Sequence, residues 1–511
     1  MPAVVAAAVV AAVVLPSGAA QAAPAGGRDQ VRVPARYAQQ RLDWQSCGGG
    51  SSLECAMMTV PRDWHHPDAG PDITVAVSRH RASDPALRRG VLMMAAGGPG
   101  ASGLNRPEGF AKDEPAVGAA YDVVSFDQRG VGRSTHPVCQ TDDELREFFA
   151  HDFRDRSPAA VQGVLDRSRE LVRNCEARSG GLLPYLTTEQ TVRDMDLFRS
   201  LLGAPKISYY GPSYATMVGA YYATLYPQRV ERAVLDSNVG WSGSWEAFEK
   251  GQPKSFQRRF EQDFLPWLAQ HDDVYHYGRT VAEVRARWEE RRRALAEHPV
   301  TAGSAVIGPN QLDNGTIQAL YNAAQGFPAL ASALVALEHG DDAGASGKAL
   351  VGKVFGSYVS PEFLAEFFSV TCNDTAWNHD IGYWKRRSAR DTAALPLLGA
   401  RELAFSSVCA YWPTDAAPKV KVTGAGLPTT LMLNSTHDPA TYYEAAVEDH
   451  RALRGSRLVT VTGGGDHGQY RNGNACVDGI VNTYLLTGEA PAHDTACAAG
   501  PLPVPAGAAA K

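Results

Sequence analysis

Apolar and polar positions alternate from Asp72 to Arg79 (DITVAVSR), and short apolar runs follow at Gly90 to Ala95 (GVLMMA) and Asp122 to Phe126 (DVVSF). Alternation and short bounded apolar runs read as buried strands. Thr191 to Leu202 (TVRDMDLFRSLL) places apolar residues at helical spacing and stops at Gly203, and the strand Lys206 to Tyr210 comes next. A sharp turn at Gly211 then leads to a helix over about Ala215 to Leu225, stopped by Pro227, and to a strand at Arg232 to Asp236. Strand and helix in strict alternation predict a mostly parallel sheet with helices on both faces.

From about 240 to 395 the strand signals stop. Val281 to Ala296 (VAEVRARWEERRRALA) is a charged amphipathic helix, and Gln311 to Gln325, Ala329 to His339 and Pro361 to Ser369 continue the helical series. Strands return at Pro428 to Asn434 (PTTLMLN) and Ser456 to Thr462 (SRLVTVT), with helices near Thr441 to Arg454 and Ala475 to Leu486. The pattern divides the chain into a sheet body in two segments, 29–239 and 396–498, a helical insertion over 240–395, and a Pro/Ala tail over 499–511 that needs no structure.

Composition sharpens this picture. At 511 residues, 44% hydrophobic and 20% charged, the chain can bury a large core unaided, so its eight cysteines are not explained by a need for stability. The formal charge is −6 and no basic block is visible, which argues against a nucleic-acid partner. No charged residue precedes Arg28; Met1 to Leu15 is almost wholly Ala and Val, Pro16 to Gly18 breaks it, and Ala20-Gln21-Ala22 offers small residues for cleavage. Residues 1–22 therefore read as a secretion signal, although no Lys or Arg leads the apolar stretch and the translation start could lie upstream. The apolar run is shorter than the roughly 20 residues a membrane-crossing helix needs, and no Cys follows it for lipid attachment, so no anchor is expected after cleavage. Export favours disulfides. Proximity alone selects four sequential bridges, Cys47 to Cys55, Cys139 to Cys175, Cys372 to Cys409 and Cys476 to Cys497, out of the many pairings eight cysteines allow. The doublet His65-His66 has no Cys or acidic array beside it, and neither metal nor cofactor is expected.

Chemistry concentrates at Tyr209-Tyr210-Gly211-Pro212-Ser213-Tyr214-Ala215, where a serine sits in a turn between a strand and a helix. That is the context of a nucleophile elbow, with Ala215 in place of the second glycine. A serine elsewhere in such a turn often only caps the helix; the strand and helix around Ser213 favour the nucleophile. Such a serine needs a base and an orienting acid, in chain order after it and each behind a strand. Asp438 follows one downstream strand and His467 the next, within Gly463-Gly464-Gly465-Asp466-His467-Gly468. Asp466 adjoins His467, but neighbouring side chains on extended backbone point apart; Asp236, behind an earlier strand, is the stronger rival to Asp438. An oxyanion would rest on the N–H of Tyr214 and on that of Gly97 in the turn Gly97-Gly98-Pro99-Gly100.

Together with Ser102-Gly103, Asp127-Gln128-Arg129-Gly130-Val131-Gly132-Arg133-Ser134, Asp438-Pro439 and Gly465-Asp466-His467-Gly468, these motifs resemble the α/β-hydrolase family of prolyl and tripeptidyl aminopeptidases. The likeness is strongest to its secreted bacterial tripeptidyl aminopeptidase group and spans nearly the whole mature chain, including Trp44, Cys47, Cys55-Ala56 and Cys372-Asn373-Asp374. The resemblance implies an α/β-hydrolase fold and a serine exopeptidase that releases short peptides from free N-termini, with Ser213, Asp438 and His467 as its triad. It further implies that the helical insertion is a lid with an acidic residue near the substrate amine. Asp374 is the candidate; the plainer alternative is that it caps a helix or pairs with an arginine. The segment Asp236-Ser237-Asn238-Val239-Gly240 departs from the Asp-Gly turn of relatives and leaves substrate preference open. An esterase or lipase with the same triad is the alternative function, and a catalytically inert binding protein on the same fold is a third.

Overall fold

The computed structural model describes residues 33–356 and 359–506. The expected signal segment 1–22 and the last five residues of the expected tail lie outside them. Ten strands form one sheet: β1 (Gln45–Ser46), β2 (Glu54–Pro61), β3 (Asp72–His80), β4 (Gly90–Met94), β5 (Tyr121–Phe126), β6 (Ile207–Pro212) and β7 (Val230–Asp236) precede a long helical segment. That segment holds a small hairpin, β8 (Val300–Ala302) and β9 (Ala305–Ile307), and β10 (Thr430–Ser435), β11 (Arg457–Thr462) and β12 (Thr495–Ala498) complete the sheet. The order is β1-β2-β3-β5-β4-β6-β7-β10-β11-β12. The first three pairings are antiparallel and the remaining six parallel. This is the α/β-hydrolase arrangement.

Parallel register decides where chemistry can sit. Pro212 pairs with Asp236 and Ser435 with Val461, so β6, β7, β10 and β11 all end at one edge of the sheet. The loops leaving that edge carry the ligand-binding residues in open parallel sheets. Leu92, Val123, Tyr210, Val234, Leu431, Leu433, Val459 and Val461 fill one face of the sheet against Phe110, Val481 and Tyr484 from helices. A second core lies within the helical segment, where Phe256, Phe260, Phe264, Trp267, Trp288 and Phe327 pack together. Among the described residues, no helix is long and apolar enough to cross a membrane.

Some sequence expectations shift. The strand signals do not stop altogether after β7, because Gly303 at φ +65 turns β8 into β9. The single helix expected over Gln311 to Gln325 is two, Pro309–Ala319 and Ala323–His339. At the break, Asn322 accepts from Gln325 N and starts the second helix. The 22-residue helix Pro158–Ser179 and strands β2 and β12 have no counterpart in the pattern reading. The cysteines form Cys47–Cys55, Cys139–Cys175, Cys372–Cys409 and Cys476–Cys497, the pairs that proximity suggests. Residues 499–506 form no helix or strand, yet the Pro503 carbonyl accepts from Trp267 Nε1 at 2.7 Å.

Candidate active site

Ser213 follows β6 and precedes the helix Ala215–Leu225, with a left-handed backbone at φ +61. Few non-glycine residues adopt that region, and such strain concentrates at functional turns. Gly211 and Gly219 make the turn possible: a Cβ at Gly211 would meet the Ala215 carbonyl at 2.7 Å, and one at Gly219 would meet Leu235 Cδ2 at 2.7 Å. The Ser213 N–H is spent on the Asp236 carbonyl at 2.8 Å, which pins the turn to β7.

Gly97 leaves β4 directly against this turn; a Cβ there would stand 3.0 Å from Ser213 Cβ. Among the described residues, neither the Gly97 nor the Tyr214 N–H has an acceptor within the protein. Buried backbone donors are nearly always paired, so two free ones beside a strained serine form a ready anion site. The Asp127 motif holds the turn in place. Asp127 accepts from Ser102 Oγ at 2.6 Å and from the N–H groups of Gly103 and Arg133 at 2.9 Å, and Gln128 Nε2 donates to the Ala96 carbonyl at 2.9 Å. Arg129 is buried under the same loop and paired with Asp194 at 2.7 Å.

Asp438 and His467, on the loops after β10 and β11, meet at 3.0 Å between Oδ2 and Nδ1. Asp438 is fully buried and is fixed by the N–H groups of Ala440 and Thr441 at 2.9 and 2.8 Å. The Thr441 hydroxyl donates to Asp438 Oδ2 at 2.9 Å and lies 3.3 Å from His467 Nδ1. Burial works against a charged His467, but the charge and hydrogen bond of Asp438, with the charge of Asp236, outweigh it and raise the imidazole pKa above its usual value. The broken helix serves this histidine. Tyr321, in the break, accepts the His467 N–H on its carbonyl at 2.8 Å and sets its ring edge-on to the imidazole.

The two rival acids are engaged elsewhere. Asp236 accepts from Gln469 N at 2.8 Å and from Tyr470 N and the Tyr210 hydroxyl at 3.0 Å; burial raises its pKa to about 6. Asp466 pairs with Arg259 and accepts from Ala323 N. The departing segment after β7 also acts as a support: Ser237, at φ +59, accepts the Gly468 N–H at 2.8 Å, and Asp449 accepts the N–H groups of Gly240, Trp241 and Ser242.

Ser213, His467, Gly97 and Gly98 line a cavity of about 450 Å³. Phe149, Trp245, Phe248, Tyr321, Phe363, Phe367 and Phe405 make its walls largely aromatic. Asp374 does not line it. Its carboxylate accepts from the Thr188 N–H at 2.8 Å and the Thr188 hydroxyl at 2.5 Å, capping the helix Thr188–Leu201, and burial raises its pKa to about 6. The acid that does reach the cavity is Glu249, which sequence reasoning misses. It is buried on the helix Trp245–Arg259, and among the described residues nothing hydrogen-bonds it. Burial raises its pKa to about 7, opposed by the charge of Arg401, a second lining residue that stacks 4.2 Å over Phe405.

A strained serine, a carboxylate-held histidine and free N–H groups on one cavity match an α/β-hydrolase site. The chain is 36% identical to the tripeptidyl aminopeptidase of Streptomyces lividans over 490 residues, 92% of this chain and 89% of that protein. The chain belongs to the tripeptidyl aminopeptidase family. Within the α/β-hydrolases, residues 396–497, which carry Asp438 and His467, match the family described as TAP-like protein. Other similar proteins are the serine protease Hip1 of Mycobacterium tuberculosis, 27% identical over 92% of this chain and 93% of that one, and a protein named carboxylesterase B from the same organism, 31% identical over 88% and 86%. Like its relatives, this tripeptidyl aminopeptidase family member is a serine hydrolase by lineage.

Proposed function

We propose that the protein is an exported serine exopeptidase that releases short peptides, chiefly tripeptides, from free N-termini. The observation that carries the reading is the buried, otherwise unbonded carboxylate of Glu249 in the cavity that also holds Ser213 and His467. The charge of Arg401 offsets that burial only in part, leaving the Glu249 pKa raised to about 7 with no ion pair made, and the α-ammonium of a peptide is a cation that can pair with it directly. Glu249 thus takes the role that the resemblance suggests for Asp374, and family membership supports peptides as substrates.

The chemistry is acyl transfer. His467 Nε2 takes the proton of Ser213 as Oγ attacks the scissile carbonyl, and the oxyanion rests on the N–H groups of Gly97 and Tyr214. Asp438 keeps the tautomer with the proton on Nδ1 and stabilises the imidazolium. His467 then protonates the leaving amine, the shortened chain departs with its new N-terminus, and water attacks the peptidyl acyl-enzyme by the same route, freeing the N-terminal tripeptide and restoring Ser213. The helix Trp245–Arg259, in the segment after β7, supplies Trp245, Phe248 and Glu249 to the cavity wall, which fits a lid over the site.

An esterase with the same triad is favoured only by the likeness to carboxylesterase B. One comparison separates the two: a tripeptide amide with a free amine against its acetylated form and against a simple acyl ester. The peptidase reading expects cleavage of the free-amine peptide and almost none of the acetylated one. Equal rates on both peptides, or turnover of the ester alone, would assign the esterase.

A further inference from the structure

Besides His467, three charged side chains line the cavity: Glu249, Arg401 and Arg106. The first two answer one another, each shifted by the other's charge. Arg106 has no such match. It opens the helix Arg106–Asp113, behind the Gly97-Gly98 turn, and its guanidinium makes one long hydrogen bond, Nε to the Ser102 carbonyl at 3.4 Å. Among the described residues no carboxylate pairs with it; the groups that act on it electrostatically are Tyr210 and, after it, another cation, Arg471, already paired with Asp113. A partly buried guanidinium without a counter-ion is unfavourable, and an incoming anion relieves it.

The direction of catalysis places that anion. His467 must protonate the leaving amine, so the substrate beyond the scissile bond lies on the His467 side of Ser213. Arg106 is on that side. Its electrostatic neighbours are Tyr210 and Arg471, Tyr210 packs on Tyr470 at 5.5 Å, and residues 468–471 follow His467 directly. Glu249 and Arg401 are carried by other elements, the helix Trp245–Arg259 and the N-cap of the helix Glu402–Ala410.

We propose that Arg106 is a specificity-determining residue that binds a carboxylate on the leaving peptide, first of all the C-terminal carboxylate of a short substrate. The inference rests on the peptidase reading above. The cavity then offers an anion to the N-terminus of a short peptide and a cation to its C-terminus, and the enzyme favours oligopeptides over long chains. An acidic side chain at the first leaving residue offers the same chemistry.

The test compares wild type, Arg106→Gln and Arg106→Lys on a tetrapeptide as free acid and as C-terminal amide, and on two tetrapeptide amides with Glu or Gln at the fourth residue. In wild type, the carboxylate-bearing member of at least one pair is expected to have kcat/KM about tenfold higher. Arg106→Gln brings that ratio close to one, and Arg106→Lys restores part of it. Each ratio is internal to one preparation, so a loss of folded enzyme cancels. A wild-type ratio near one in both pairs, or one that survives in Arg106→Gln, overturns the inference while tripeptide release leaves the peptidase reading standing. Failure of wild type to release a tripeptide from any of the four overturns both.

Discussion

Replacing Glu249 by Gln removes one charge from the cavity wall and barely alters its shape. If Glu249 holds the substrate ammonium, the variant trades a charge-assisted hydrogen bond for a neutral one. Charge-assisted bonds contribute about 1.5–3 kcal/mol and neutral ones about 0.5–1.5, so the difference of about 1–1.5 kcal/mol should lower kcat/KM on a free-amine tripeptide about 5- to 13-fold. The contact is made in ground and transition states alike, so the loss should appear in KM, with kcat little changed. Its pH dependence follows from burial, which raises the Glu249 pKa to about 7. The ionised form binds the amine, so wild-type KM should improve as pH rises from 6 to 7.5, and the variant should lose that dependence. The acid limb of kcat should remain in both, because it reports neutral His467, whose pKa is also raised. The assay is steady-state hydrolysis of a tripeptidyl anilide, free and acetylated, across that pH range. A Glu249→Gln enzyme with wild-type KM and undiminished rejection of the acetylated substrate would remove Glu249 from the amine site.

Three further outcomes follow from the geometry. Gly97→Ala puts a methyl group 3.0 Å from Ser213 Cβ and 3.1 Å from the Pro212 carbonyl, displacing an oxyanion donor; kcat should drop about 10²- to 10³-fold with KM nearly constant, and an unchanged kcat would remove Gly97 from the site. Thr441→Val deletes the hydroxyl shared by Asp438 and His467 but keeps the backbone bonds to Asp438, so kcat should fall about tenfold without loss of thermal stability, as paired kinetics and melting curves would show. Burial raises the carboxyl pKa values of Asp236 and Asp374 to about 6, of Glu249 and Asp449 to about 7 and of Glu402 to about 9. Acids that hold their protons more tightly when folded stabilise the fold at low pH and lose that contribution as pH rises through those values, so Tm should decline between pH 5 and 8; a rise over that window would contradict it.

What the sequence discloses and what it conceals divide along chain distance. Ser213 is legible because its strand, turn and helix are adjacent in the chain, and Asp438 and His467 because each follows an apolar strand. Glu249 is hidden: on a charged helix a glutamate reads as a solvated face, and only packing of that helix over the sheet edge turns it inward. Asp374 misleads for the converse reason, since the helix that ends in Cys372-Asn373-Asp374 carries it into the core, where Thr188 needs it as a cap. The break at Tyr321 has no strong local signal beyond Asn322, because its purpose is a contact with His467 far along the chain. Strand β2 escapes the pattern reading because Cys55, Ala56, Met58, Val60 and Pro61 are buried on both faces and the alternation is lost. Arg106 follows the glycine-rich turn, where attention falls on the backbone, and its lack of a counter-ion is visible only in three dimensions.

The central claim is that Ser213 is the nucleophile, activated by His467 and Asp438. The most direct measurement is labelling with a fluorophosphonate serine reagent followed by peptide mapping of the intact enzyme. A single adduct on Ser213 is expected, formed in step with loss of tripeptide release, absent in Ser213→Ala and greatly slowed in His467→Ala. An enzyme that keeps releasing tripeptides with Ser213 unlabelled, or that does so as the Ser213→Ala variant, would contradict it.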